Sequence, residues 1–361
     1  MRQIIILSLT LLIGFTFRPA FADEHQSIIR SLPPSPTISV STVPPNGDVN
    51  PYGVAFVPKG FPSGGMLNRG DVIVSNFNNA KNLQGTGTTI VRVTPGGSMS
   101  VFFQGSKGLG LTTALGVLKQ GFVLVGNVPT MDGSCATVQQ GSLIALDRNG
   151  AVVETLTDSA LLDGPWDLTI HDGEDRAQVF VSNVLNGTVT RIDLGVEGGA
   201  PKVRSMTRIA SGYLHRCDPN ALVVGPTGLA FDAQTGILYV ASTGDNAIFT
   251  IPNAARTKRD HGMGRLVYAD NAHLRGPLAL ALASDGHLLT ANGDAVNGDP
   301  NQPSEIVEFT KSGKFVAQFP VDTGGQGGAF GLAFAESDDE GFRFAAVDDI
   351  VNALDIWMVP E

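Results

Sequence analysis

A short apolar phrase returns six times along this chain, about fifty to sixty residues apart. It reads Pro51-Tyr52-Gly53-Val54-Ala55-Phe56, Ala114-Leu115-Gly116-Val117, Pro165-Trp166-Asp167-Leu168, Pro226-Thr227-Gly228-Leu229-Ala230-Phe231, Pro277-Leu278-Ala279-Leu280-Ala281-Leu282 and Ala329-Phe330-Gly331-Leu332-Ala333-Phe334. A period of this size means that one supersecondary unit is used repeatedly and that neighbouring units bury each other's apolar faces. Length alone would allow two domains, but a single closed array accounts for the whole repeat.

Within each period the residues predict four strands. In five of the six repeats a glycine turn (Gly70, Gly121, Gly236, Gly286, Gly341) follows the phrase and leads into a second β-rich run, such as Val72 to Asn76 or Leu238 to Thr243. Glycine supplies the positive φ that a tight hairpin needs. A third strand follows a longer loop, and a fourth follows turns such as Pro95-Gly96-Gly97; in the third repeat these are Val189 to Ile192 and Val203 to Ile209. Four-stranded units arranged radially are the blades of a β-propeller, so the chain is expected to be all-β with six blades. The sixth repeat ends after three strands. Thr37 to Val43 is β-rich and has no blade of its own, so it should complete blade six, close the ring and remove an open edge.

The segment ahead of the array reads differently. Met1-Arg2-Gln3, the apolar run Ile4 to Phe17 and Ala20-Phe21-Ala22 have the form of a cleavable signal peptide, with cleavage expected after Ala22. Residues 23–36, with Leu32-Pro33-Pro34-Ser35-Pro36, read as a tether without regular structure. The domain division is therefore signal peptide 1–22, tether 23–36 and propeller 37–361. Export implies a periplasmic or secreted protein with no membrane attachment after cleavage, and the protein is expected to be a monomer. The formal charge of −10 becomes −12 once Arg2 and Arg18 leave, which argues against nucleic acid as a partner.

The run Pro226 to Phe231, Leu238 to Ser242 and Asn246 to Ile251 resembles the NHL repeat. Through it, nearly all of the expected mature chain is similar to the wider six-bladed superfamily that includes SMP-30/gluconolactonase and strictosidine-synthase-like proteins. That resemblance implies a ligand site at one mouth of the central channel. It also implies metal ligands, in the lactonases, at the residue before the Gly-Leu of the inner phrase. Here those positions hold Tyr52, Leu115, Trp166, Thr227, Leu278 and Phe330, none of them a carboxylate or amide. The aromatics suit either a stacking ligand or simple packing within the channel.

A second ring comes from the residue ending each second strand: Asn76, Asn127, Asn183, Thr243, Asn292 and Asp348. Such residues serve turn chemistry or contact a ligand. Asp294, Asn297 and Asp299 form the densest oxygen cluster and could accept Ca²⁺, although their spacing is not that of a calcium loop. His215 with Asp218 is the candidate acid–base pair, while His215 and His273 alone cannot make a three-histidine zinc site at the mouth. No nucleophile elbow, phosphate loop or dinucleotide fingerprint is present. Cys135 and Cys217 fall in loops of the mouth face and, in an oxidising compartment, should pair. The functional expectation is a module that binds a small molecule or a protein segment at the upper mouth. The alternative is a hydrolase or lyase at the same mouth, with or without a metal.

Overall fold

The computed structural model describes residues 27–173, 176–197, 199–293, 305–322, 328–336 and 341–359. The expected signal peptide lies outside the described residues. Six antiparallel sheets of four strands make up the array, with one additional two-stranded hairpin. Blade one is Val49–Phe56, Val72–Asn78, Thr89–Val93 and Met99–Gln104; blade two is Leu111–Leu118, Phe122–Asn127, Ser142–Asp147 and Val152–Leu156. Blade three is Pro165–Asp172, Arg176–Asn183, Thr188–Glu197 and Ala200–Ser211; blade four is Pro226–Asp232, Ile237–Ser242, Ala247–Ile251 and Arg265–Tyr268. Blade five is Pro277–Leu282, Leu288–Asn292, Glu305–Phe309 and Phe315–Pro320. Blade six takes Ala329–Glu336, Phe342–Asp348 and Ala353–Val359, and its outer strand is Ile38–Ser41.

The closure follows from pairing. Ile38 lies opposite Ile356 and Ser41 opposite Ala353, so the first strand of the propeller completes the last blade. Thr42 extends the tie by donating its Oγ1 hydrogen to the Asn352 carbonyl at 3.0 Å. The inner strands neighbour one another in an unbroken ring, the first against the last. Blade three departs from the expected boundaries, because its third and outer strands continue past the ring as a long hairpin, with Glu197 opposite Ala200.

The recurring small residue of the inner phrase has a steric cause. A Cβ on Gly53 would lie 2.8 Å from the Leu115 Cβ, and side chains on Gly228 or Gly331 would overlap the backbone of the next inner strand. Between adjacent blades the alternate residues of facing sheets interlock. Ile73, Ile90, Leu115, Val123, Val125, Ile144 and Leu146 form one such buried layer between blades one and two.

The segment expected to be an unstructured tether is corrected in its described part. Ile28–Ser31 forms one helical turn, and Ile28, Ile29 and Leu32 are buried against blades five and six. The docking partner is Glu308, fully buried on blade five. Its carboxylate accepts from the Ser27 hydroxyl at 2.6 Å and from the Ile28 and Ile29 amides at 3.1 and 3.0 Å, capping amides that a helix start leaves unpaired.

Candidate functional site

The mouth is the face where inner strands begin and second strands end. Ladder register defines which residues form its rings. In blades one and four to six the inner strand has a bulge of three residues against two, as between Pro51 and Val54 opposite Asn76 and Val74. In blade two the step runs from Leu111 to Leu115 opposite Asn127 and Val125, one residue longer. Leu115 is therefore equivalent to Val54, and the ring position expected at Leu115 belongs to Thr113. The ring is Tyr52, Thr113, Trp166, Thr227, Leu278 and Phe330, all buried.

Three of these join with Phe77 in one aromatic cluster. Tyr52 stacks on Phe77 and Phe330 with centroids 4.7 and 4.6 Å apart, and Trp166 meets Phe77 and Tyr52 edge-on at 5.4 and 5.8 Å. Thr227 is occupied internally, donating to the Pro277 carbonyl at 3.0 Å and lying 3.2 Å from the Thr243 hydroxyl. Above the cluster sits the hairpin formed by Arg216–Asp218 and Leu222–Val224. Leu222 and Val223 are buried in the same apolar layer as Tyr52, Phe77, Trp166, Leu278 and Phe330. The hairpin closes the mouth. Its sequence signal was the apolar Leu222-Val223-Val224 immediately before Gly225-Pro226, where no strand was expected.

The expected Cys135–Cys217 disulfide is present, with Cα atoms 5.7 Å apart, and it pins this hairpin to a helical turn (Cys135–Thr137) in the loop of blade two. Gln84 adds a second tie by donating its side-chain amide to the Asn220 carbonyl at 2.6 Å. Among the described residues no helix is long and apolar enough to cross a membrane.

The second ring is built from buried side chains that fasten loops. The Asn183 side-chain nitrogen lies within hydrogen-bonding distance of the Leu161 carbonyl and the Thr188 and Thr190 hydroxyls, and its oxygen accepts from the Asp163 amide. Asn292 accepts from the Arg275 amide and donates to the His273 carbonyl; Asn127 accepts from the Ser142 amide and hydroxyl. Asn76 donates to the Thr42 carbonyl and so anchors the chain just after the closing strand. These bonds are longer in range than local turn chemistry: each asparagine ties a second strand to a loop or strand beside it.

Asp348 is the ionisable member of that ring. Burial, together with the negative charges of Asp322 and Asp355, pushes its pKa up to about 6, against the help of the Ile350 amide on its carboxylate at 2.9 Å. Asp355 is raised too, by burial first and then by Asp322, against a hydrogen bond from Ser39. His215 and Asp218 are not brought together. His215 is exposed and its Nδ1 lies 3.0 Å from the Tyr213 carbonyl, whereas Asp218 accepts from the Asn220 and Ala221 amides and faces Arg216 at 3.6 Å. The acidic group that feels His215 is Asp163, whose pKa is raised by burial and partly restored by the imidazole.

His273 is engaged with Asp270 at 2.6 Å and stacks on Phe315 at 3.8 Å. Burial would raise the Asp270 pKa, but the hydrogen bonds from His273 and Tyr268 outweigh it and hold the carboxyl down to about 2. Asp294, Asn297 and Asp299, the candidate Ca²⁺ residues, lie outside the described residues. Among the described residues Asp285, His287 and Glu308 converge within 4.8 Å, away from the mouth, where Glu308 is committed to the N-terminal helical turn.

No family model matches the sequence, and no curated protein matches it. Solved structures do. Regucalcin from Agrobacterium tumefaciens, described as a calcium-binding protein, aligns over 90% of this chain and 96% of its own, with a TM-score of 0.52 at 14% identity. A gluconolactonase-family protein aligns over 91% and 94% with a TM-score of 0.50 at 16% identity, and a luciferin-regenerating enzyme over 90% and 95% with 0.51 at 10%. The chain has the six-bladed propeller fold. At these identities the likeness concerns the fold and not the chemistry.

Proposed function

We propose that the chain is an exported, monomeric binding module that holds a protein segment against the outside of its closed mouth. The observation that carries this reading is a set of exposed apolar side chains on mouth-face loops around the hairpin: Leu83, Met131, Leu214, Ile350 and Val351, with Met131 75% and Val351 60% exposed. Five of the ten exposed large apolar side chains among the described residues fall on this one face, and apolar surface gathered on one face among polar loops is what a docking surface presents. The ring of Tyr52, Trp166, Thr227 and Phe330 then acts beneath it as packing that holds the cap. The Asn76, Asn127, Asn183 and Asn292 bonds fix the loops that present the surface. A small molecule is the less favoured occupant of the mouth, because the hairpin covers the aromatics it would stack on.

The test is selection of peptides from a displayed library, followed by hydrogen-exchange mapping of the best binder. Protection should fall on the loops carrying Leu83, Met131, Leu214 and Ile350-Val351, and a Met131→Asp/Leu214→Asp variant should lose about 2 kcal/mol of affinity or more. Protection confined to the opposite face would refute the reading. A hydrolase or lyase remains the second reading, favoured by one observation: the carboxyl of Asp348, raised to about 6 beside Asp322 and Asp355, is a titratable group of the kind active sites use. Turnover of a lactone or ester, with or without Ca²⁺, that disappears in Asp348→Asn would support it.

A further inference from the structure

Below the aromatic plug the central channel opens again toward the opposite face. The cavity there holds about 270 Å³ and is lined by inner strands of all six blades, including Val54, Leu115, Leu229, Leu280 and Phe334. From the level of Ala279 and Gly331 to the rim at Leu282 and Phe334 the strands advance three residues, a depth of about 10 Å. The plug of Tyr52, Phe77, Trp166 and Phe330 makes it a blind channel.

One layer at its inner end is chemically uneven. Aligned by ladder register, the positions after the aromatic ring are Gly53, Ala114, Asp167, Gly228, Ala279 and Gly331. Five carry a hydrogen atom or a methyl group, and one carries a carboxyl. Asp167 is 9% exposed and lines the cavity. Its oxygens accept from the Leu168 amide at 2.7 Å and the Leu229 amide at 3.3 Å, and among the described residues no Lys, Arg or His forms an ion pair with it. A buried carboxyl without a counter-charge is costly. Most residues beside it are aliphatic, but the surface that the inner strands leave open to the cavity is more polar than apolar.

We propose that this blind channel binds a primary alkylammonium group, which enters from the face opposite the mouth, passes its methylene stem between the inner strands and sets its charged head on Asp167. The shared chemistry, an ammonium on a flexible methylene stem, belongs equally to a free alkylamine and to a lysine side chain. Burial raises the Asp167 pKa well above the ordinary value, against the pull of the two amides, so the unliganded channel holds a carboxyl that a cation would ionise and stabilise. The site is independent of the docking surface on the mouth face.

Calorimetry at pH 8 with n-pentylamine and with Nα-acetyl-lysine methylamide tests it, with n-pentanol as the neutral counterpart. Saturable one-to-one binding of n-pentylamine is expected, with n-pentanol weaker by about tenfold or more. Asp167→Asn, which keeps the shape and an accepting oxygen, should weaken n-pentylamine by about tenfold or more. Thr169→Lys should do the same, because residues two apart on a strand share a face and the new ammonium would occupy the carboxyl from within. Binding of n-pentylamine alone supports the site as one for free amines; binding of both amines extends it to lysine side chains. Absence of saturable n-pentylamine binding, equal binding to folded Asp167→Asn, or equal affinity for n-pentanol would overturn the proposal. Should Asp167→Asn fail to fold, Thr169→Lys decides, since it leaves the amide bonds of Asp167 in place.

Discussion

Replacing Asp348 by Asn should stabilise the protein at neutral and alkaline pH and leave it unchanged in acid. The carboxyl moves from an ordinary 3.8 to about 6 in the fold, so folding favours its neutral form. Well below pH 3.8 the group is protonated in both states and costs nothing. As pH rises from about 4 through 6 the folded state must surrender a proton against burial and the charges of Asp322 and Asp355, and stability falls. A displacement of about two pH units corresponds to about 3 kcal/mol at pH 8. Asn retains an oxygen for the Ile350 amide while removing the charge. Chemical denaturation of both proteins at pH 4, 6 and 8 measures the difference. The variant should gain about 2–3 kcal/mol at pH 8, and the gain should shrink to about 0.5 kcal/mol at pH 4. A gain that is the same at every pH, or a loss at pH 8, would refute the electrostatic origin.

The cap and the N-terminal turn give two further expectations. The Cys135–Cys217 bridge spans 82 residues, so a Cys135→Ser/Cys217→Ser variant should lose roughly 4 kcal/mol by the chain-entropy estimate, and thiol labelling of the denatured, unreduced wild type should find no reactive thiol. Ile29→Ala removes a side chain 4% exposed from the contact with blades five and six, and should cost about 2 kcal/mol or more in denaturant titration; an unchanged midpoint would return the segment to the status of a tether.

The propeller was legible because its information is periodic: the β-rich runs repeat six times, the turn glycines and the small residues forced by close inner strands recur in five repeats each, and the register of one blade checks the next. Closure by Ile38–Ser41 was legible because a missing strand and a spare strand occur in one chain. What escaped was aperiodic. The Ile28-Ile29 turn looks like tether because its partner, Glu308, lies about 280 residues away. The extra residue in blade two hid Thr113 behind Leu115, since a bulge is invisible without its opposing strand. The closing hairpin at 216–224 belongs to no repeat, and a three-residue strand has too little pattern to separate from a loop. Asp167 was in view within the third phrase, but its isolation in a channel emerges only when six inner strands are aligned side by side.

The central claim is that a disulfide-held hairpin seals the mouth over the aromatic ring, so that recognition takes place on its outside. Trp166, 1% exposed beneath that hairpin, reports on it directly, once Trp357→Phe leaves it as the only tryptophan. Acrylamide quenching should be slight in the oxidised protein and should rise several-fold when reduction of Cys135–Cys217 frees the hairpin while the blades stay folded. Quenching in the oxidised protein that matches the denatured chain would mean an open mouth with accessible aromatics, and would contradict the account.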